Sequence, residues 1–182
     1  MLSRRHLLLH YCPMEITEGD LQDTRVQELL AHPRTGHMNT LRDDITAALV
    51  ENGITDFHFV RLHHYQQILE RIAERFLAEG TKDLNYMWLW ERFRHQLSSC
   101  HPTNALTELG SRLKPEERYW FLACEYNGKL WVADATGAGI LSMLRQMYHF
   151  EYYIVDRHMT WLICENHHEM LSEASAWAPK AR

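Results

Sequence analysis

The sequence lacks any apolar run of roughly 18 residues, the length that a membrane-spanning helix needs. Its N-terminal Ser3-Arg4-Arg5, followed by three leucines, has only a superficial likeness to an export signal. His10 interrupts that apolar run, whereas a signal peptide needs roughly 7–15 continuous apolar residues and a small-residue cleavage site. We therefore expect neither export nor attachment to a membrane.

The chain also has few cysteines, and they form no C-x-x-C pair. The four are Cys12, Cys100, Cys124 and Cys164. Small secreted domains carry a dense and even set of cysteines that form disulfides. The absence of such a set predicts reduced thiols and a cytoplasmic protein.

An excess of positive charge is missing as well. The chain has 19 Lys and Arg against 24 Asp and Glu, for a net charge of −5. Binding to nucleic acid depends on a basic face that neutralises phosphates, so this balance argues against a nucleic-acid partner. It is compatible with a basic protein partner. Since no linker, repeat or low-complexity segment divides the 182 residues, we expect a single domain over 1–182.

Apolar spacing divides this domain into a mixed segment (1–38), a mainly helical region (39–113) and a hairpin-helix-hairpin sheet (118–171). Residues such as Ile68, Leu69, Ile72 and Phe76 recur at the spacing of one helix face. Helices are predicted on this basis at 15–30, 41–51, 64–79, 84–97 and 106–113. The alternation at 57–60 predicts a short strand.

The sequence after residue 118 changes to a strand-like pattern. Strands are predicted at 119–126, 129–134, 151–155 and 160–164, with a helix at 140–148 and a frayed end over 172–182. Asn127-Gly128 is a strong hairpin signal, which suits a type I′ turn. The order hairpin, helix, hairpin predicts an α+β fold, with an antiparallel sheet of about four to five strands and the N-terminal helices on one face.

The last predicted strand ends in an unusual polar group, Glu165-Asn166-His167-His168. We expect these side chains at the end of the sheet, hydrogen-bonded to nearby groups. Exposed tryptophans and charged groups often dominate protein interfaces, and Trp90 is two residues from Trp88, so one narrow apolar stripe cannot hold both. The candidate partner-binding residues are therefore Trp90, Asp156, Glu165, Asn166, His167 and His168.

The sequence contains residues that suggest three kinds of chemical site. Thr136-Gly137-Ala138-Gly139 lacks the further residues of a phosphate-binding loop, so a plain turn is favoured. Neighbouring His167 and His168 point to opposite faces of an extended strand, which disfavours a shared metal. No metal site, cofactor or catalytic residue is predicted. A zinc- or cysteine-dependent hydrolase centred on 164–169 stays as the alternative function.

Two segments carry a resemblance to known proteins. Residues 150–155 read F-E-Y-Y-I-V, and residues 161–169 read W-L-I-C-E-N-H-H-E. This closing pattern resembles that of a group of small, uncharacterised bacterial proteins, which look like immunity proteins of polymorphic-toxin systems. The resemblance implies a non-enzymatic protein that binds a cognate toxin in the cytoplasm and neutralises it by occlusion. It assigns no role to any single residue.

Overall fold

The computed structural model describes residues 40–78 and 88–177. They lie within one compact unit, Asn39–Arg182. The helix predicted at 15–30 falls outside the described residues. Across the two described ranges, no helix is long and apolar enough to cross a membrane.

The described residues form an α+β fold with a seven-stranded antiparallel sheet. The first elements are α1 (Leu41–Glu51), β1 (Phe57–Phe59), α2 (Leu62–Phe76), a short 3-10 helix (Leu89–Arg92), β2 (Gln96–Cys100) and α3 (Ala105–Arg112). They are followed by β3 (Arg118–Cys124), β4 (Leu130–Thr136), α4 (Gly137–Leu144), β5 (Tyr152–Asp156), β6 (Trp161–Glu165) and β7 (Leu171–Ser175). The strand order is β1-β4-β3-β5-β6-β7-β2.

Local sequence explains the ends of several elements. Thr40 and Asp43 form a reciprocal capping box at the start of α1, and donation from Thr40 lowers the pKa of the Asp43 carboxyl. The predicted hairpin between β3 and β4 is confirmed. Its turn is not type I′, however, because Gly128 has a positive φ of 80° and Asn127 does not.

Helices cover both faces of the sheet, which corrects the one-face prediction. α1, α3 and α4 pack with one set of strand residues, which includes Phe121 and Ile154. α2 packs with the alternate set, which includes Leu122 and Tyr153. Because successive strand residues point to opposite faces, central strands are buried throughout, as in β5.

Two predictions of secondary structure are wrong. The helix predicted at 84–97 is replaced in the described part by the 3-10 helix and by β2, whose five side chains are all exposed. The frayed end predicted from residue 172 is instead β7, which pairs with β6 on one side and β2 on the other. Backbone pairing with neighbouring strands decides both elements, and their side chains carry little pattern.

Candidate functional site

The turn between β5 and β6 is built around Asp156. Its carboxylate accepts hydrogen bonds from the backbone N–H groups of His158 (3.1 Å), Thr160 (2.6 Å) and Trp161 (2.8 Å) and from the Thr160 hydroxyl (3.0 Å). The backbone N–H of Met159 bonds to the Asp156 carbonyl, and Met159 has a positive φ of 55°. Asp156 is buried. Its hydrogen bonds stabilise this turn.

The turn between β6 and β7 repeats this arrangement around Asn166. The Asn166 Oδ1 accepts the backbone N–H groups of His168 (3.0 Å) and Met170 (3.1 Å). Glu169 donates to the Asn166 carbonyl and has a positive φ of 58°. Asn166 is fully buried, and its Nδ2 has no hydrogen-bond partner among the described residues. The predicted hydrogen bonding at the end of β6 is confirmed for Asn166.

His167 is tied to a buried carboxylate on the face covered by α2. Its Nδ1 lies 3.0 Å from Oε2 of Glu151. The other carboxylate oxygen, Oε1, accepts a hydrogen bond of 2.5 Å from the Tyr153 hydroxyl. Burial, together with the nearby Cys164 and Glu151, raises the pKa of Tyr153, which therefore stays a neutral donor. This chain of contacts fixes one edge of the His167 ring while the rest is exposed.

Aromatic and imidazole rings meet beside this histidine. The Trp90 ring lies 6.1 Å from the His167 ring and 6.0 Å from the His168 ring, and Trp88 lies 6.3 Å from His167. We call these four residues the aromatic–histidine surface. Trp88 is 49% exposed, whereas Trp90 is partly buried and its Nε1 has no partner within the described ranges.

Trp88 has a left-handed backbone, with φ of 54° and ψ of 48°. Sequence reasoning selected Trp90 and missed Trp88 as the more exposed ring. No local signal predicts a positive φ at a tryptophan, because the conformation is disfavoured for bulky residues and depends on surrounding contacts. Because the chain around Trp88 is not the helix predicted at 84–97, the candidate site includes Trp88 as well as Trp90.

Glu165 faces the opposite side of the sheet from His167. Its Oε2 accepts a very short hydrogen bond from the Tyr152 hydroxyl, and its Oε1 lies 3.8 Å from Nε2 of His149. Burial raises the pKa of Tyr152, and the neighbouring Glu165 carboxylate raises it further. Sequence reasoning found Glu165 but missed Tyr152 and His149, since only strand pairing brings Tyr152 opposite Glu165.

Cys164 does not suit the nucleophile of a hydrolase. The side chain is fully buried, and burial raises the pKa of its thiol well above the ordinary value, with a further rise from Glu151. A catalytic cysteine needs an accessible thiolate. In the part of the chain that the structure describes, no three or more His, Cys, Asp and Glu side chains are grouped to hold a metal ion.

The glycine-containing turn before α4 has a structural explanation. A Cβ atom at Gly137 would lie 2.3 Å from the Lys114 carbonyl oxygen, and one at Gly139 would lie 3.0 Å from that of Asp56. The first N–H groups of α4 donate to Glu117, to Pro115 and to the Thr136 hydroxyl. Because these donors are occupied, the turn has none left to cradle a phosphate.

The fold and its sheet-end groups define a small α+β protein with a seven-stranded sheet. The aromatic–histidine surface lies on one face of that sheet, and the paired Glu165 and Tyr152 lie on the other. Residues 37–180 match a family described as a family of unknown function, DUF6756, so the chain belongs to that family. No curated protein and no solved structure matches the chain.

Proposed function

We propose that this protein is a bacterial immunity protein that binds a cognate toxin in the cytoplasm and blocks it by occlusion. The observation that carries the proposal is Trp88, a half-exposed tryptophan in a left-handed backbone beside His167. The resemblance of residues 150–155 and 161–169 to such proteins supports it.

The backbone of Trp88 costs the folded protein free energy. A bulky residue in the left-handed region is strained by roughly 1–3 kcal/mol and persists only where surrounding contacts impose it. The strain does not bury the ring, which leaves about half of its surface in solvent. Such strain is concentrated at binding and catalytic sites, and exposed tryptophans are among the strongest anchors of protein interfaces.

The surroundings of Trp88 fit the centre of an interface. His167 and His168 are exposed and provide polar groups next to the two indole rings, as interface rims do. A stable complex covers roughly 800 Å² on each partner, so the aromatic–histidine surface would be the centre of a larger contact. The net charge of −5 favours a partner with a basic face.

The first experiment tests protection directly. The protein is co-expressed with the products of the genes beside its own, and cell survival and complex formation are measured. We expect one neighbour to be toxic, to bind the protein and to be neutralised by it. A set of neighbours that shows neither binding nor protection would refute the proposal.

The second experiment separates binding from folding at Trp88. Glycine accepts a positive φ without strain, so Trp88→Gly should leave the melting temperature unchanged or raise it. The same change should weaken toxin binding by at least about thirtyfold, the effect of losing an anchor worth about 2 kcal/mol. Trp177→Ala is the matched control, since Trp177 is 61% exposed and follows the opposite end of β7. Full toxin affinity in Trp88→Gly would contradict the proposed surface.

A further inference from the structure

A pocket of about 290 Å³ opens on the face of the sheet opposite the aromatic–histidine surface. It lies between the start of α3, the segment after α4 and the paired strands β5 and β6. Its lining residues are Thr103, Asn104, Ala105, Leu106, Leu144, Met147, Tyr148, His149, Phe150, Tyr152 and Glu165. The volume is at the lower limit for a small-molecule site and suits a group the size of an amino-acid side chain.

Glu165 gives this pocket its chemical character. Its carboxylate is about nine-tenths buried and is held in place by the Tyr152 hydroxyl, which donates to Oε2. Among the described residues, no donor lies within hydrogen-bond distance of Oε1, because the His149 Nε2 is 3.8 Å away. One oxygen of a positioned and largely desolvated carboxylate is therefore available.

Apart from His149, the rest of the described lining has no side chain that takes a positive charge. None of the described residues around the pocket is a lysine or an arginine. The start of α3 carries only a partial positive charge of about one half, and the Asn104 side chain already caps it by accepting the Thr107 N–H. Phe150 and Tyr152 add aromatic walls.

We propose that this pocket binds a primary alkylammonium group. An ammonium needs one carboxylate oxygen and can place its remaining donors on other acceptors, whereas a guanidinium pairs best with both oxygens of a carboxylate. Because Tyr152 occupies Oε2, the pocket offers the first arrangement. The ammonium would belong either to a free small amine or to a lysine side chain of a partner protein. This site is separate from the aromatic–histidine surface, and only the assignment of the ammonium to a partner's lysine rests on the proposed function.

The test is an NMR titration of the intact protein with n-butylammonium, followed on the backbone amides of β5 and β6. We expect saturable shifts with n-butylammonium, at least about tenfold weaker binding of n-butylguanidinium, and no saturable shifts with n-butanol. Glu165→Gln should weaken ammonium binding by at least about tenfold, and Glu169→Gln, in the exposed turn nearby, should not.

A second variant covers the case in which Glu165→Gln fails to fold. Ala105→Phe fills the pocket from the first turn of α3 and leaves the contact between Tyr152 and Glu165 in place, so it should also remove ammonium binding. Equal binding of n-butanol, tighter binding of n-butylguanidinium, or ammonium binding that survives Ala105→Phe would overturn the proposal.

The source of the ammonium is then found with the toxin complex. A loss of toxin affinity in Ala105→Phe assigns the group to a lysine of the partner, and an unchanged affinity assigns it to a free amine. Trp88→Gly is measured beside it. Ammonium binding that survives while Trp88→Gly leaves toxin affinity unchanged would refute the proposed interface and keep the pocket.

Discussion

The two turns at the ends of β6 share one backbone design but differ in what they leave unpaired. In each, an acidic or amide side chain at the first position accepts the N–H groups two and four residues later, and the fourth residue has a positive φ. Asp156 has four donors on its two oxygens. Asn166 has two donors on one oxygen and a buried Nδ2 without a described partner.

The same turn therefore serves two purposes. In the Asp156 turn, both carboxylate oxygens accept hydrogen bonds from within the turn. The neighbouring Arg157 lies over the Trp120 ring at 3.6 Å and forms an ion pair with Asp134 at 3.3 Å. The Asn166 turn instead presents two exposed histidines against tryptophan rings. The hydrogen bonds of the Asp156 turn are complete, which shows that a cluster of polar residues in the sequence can be purely structural. The Asn166 turn differs because its Nδ2 is a donor without a described partner.

The largest expected effect is at the self-satisfied turn. Asp156→Ala removes an acceptor from four donors and leaves part-buried N–H groups without a partner, so it should lower the free energy of unfolding by about 3 kcal/mol. Asp156→Asn keeps the acceptor at Oδ1 and should cost about half as much. Urea denaturation of the two variants measures both values. An effect of Asp156→Ala below that of Asp156→Asn would contradict this account of the turn.

Asn166→Ala should have a smaller effect. It removes two hydrogen bonds rather than four, and it also removes the unpaired Nδ2, so we expect a loss of about 1–2 kcal/mol. The same denaturation experiment compares it with Asp156→Ala. A larger loss for Asn166→Ala would show that Nδ2 has a strong partner and would end the contrast between the turns.

Two buried tyrosines of β5, Tyr152 and Tyr153, predict a loss of stability at alkaline pH. Burial raises the pKa of Tyr152 and Tyr153 above their ordinary value of 10.0. Because the pKa is higher in the folded state than in the unfolded state, the contribution of each tyrosine to stability is complete below pH 10. It is lost as the pH rises from 10 towards the pKa of the folded state. Above pH 10, each tyrosine should lower the free energy of unfolding by up to about 1.4 kcal/mol per pH unit.

Denaturation between pH 8 and pH 11 measures this slope. Tyr153→Phe should reduce it, although the thiols of Cys124 and Cys164 keep a residual slope because burial raises their pKa too, that of Cys124 to about 12. A slope that is unchanged in both Tyr152→Phe and Tyr153→Phe would disprove the assignment to these phenols.

The smallest effect concerns thiol labelling beneath the second turn. In a Cys12→Ser background, Cys100 on the exposed strand β2 should react rapidly with a thiol reagent at pH 8. Cys164 is buried and two residues from Asn166, so it should react only when β6 opens. Asn166→Ala should accelerate labelling of Cys164 by several-fold relative to Asp156→Asn. Mass spectrometry of labelled peptides follows both rates, and equal rates in the two variants would contradict local opening at this turn.

Sequence reasoning succeeded for the β5–β6 hairpin and failed for two strands of the sheet, β2 and β7. The strands predicted at 151–155 and 160–164 contain apolar runs that are long enough to predict them on their own. β2 has five exposed residues and β7 has polar ones at Ser172 and Glu173, so neither has a pattern that distinguishes it from a loop. The candidate site was predicted to a similar extent. Asp156 and Asn166 were both selected from the sequence, but the difference between their two turns was not predicted.

By itself, the sequence determined the elements whose cause is local. Thr40 and Asp43 start α1, Gly128 closes a hairpin, and the polar residues after Glu165 end β6. Only the tertiary structure decided that helices cover both faces, that β7 lies between β6 and β2, and that Trp88 meets His167 while Glu165 meets Tyr152 and His149. These contacts join residues far apart in the chain, and their energy comes from burial and strand pairing that no short stretch of sequence encodes.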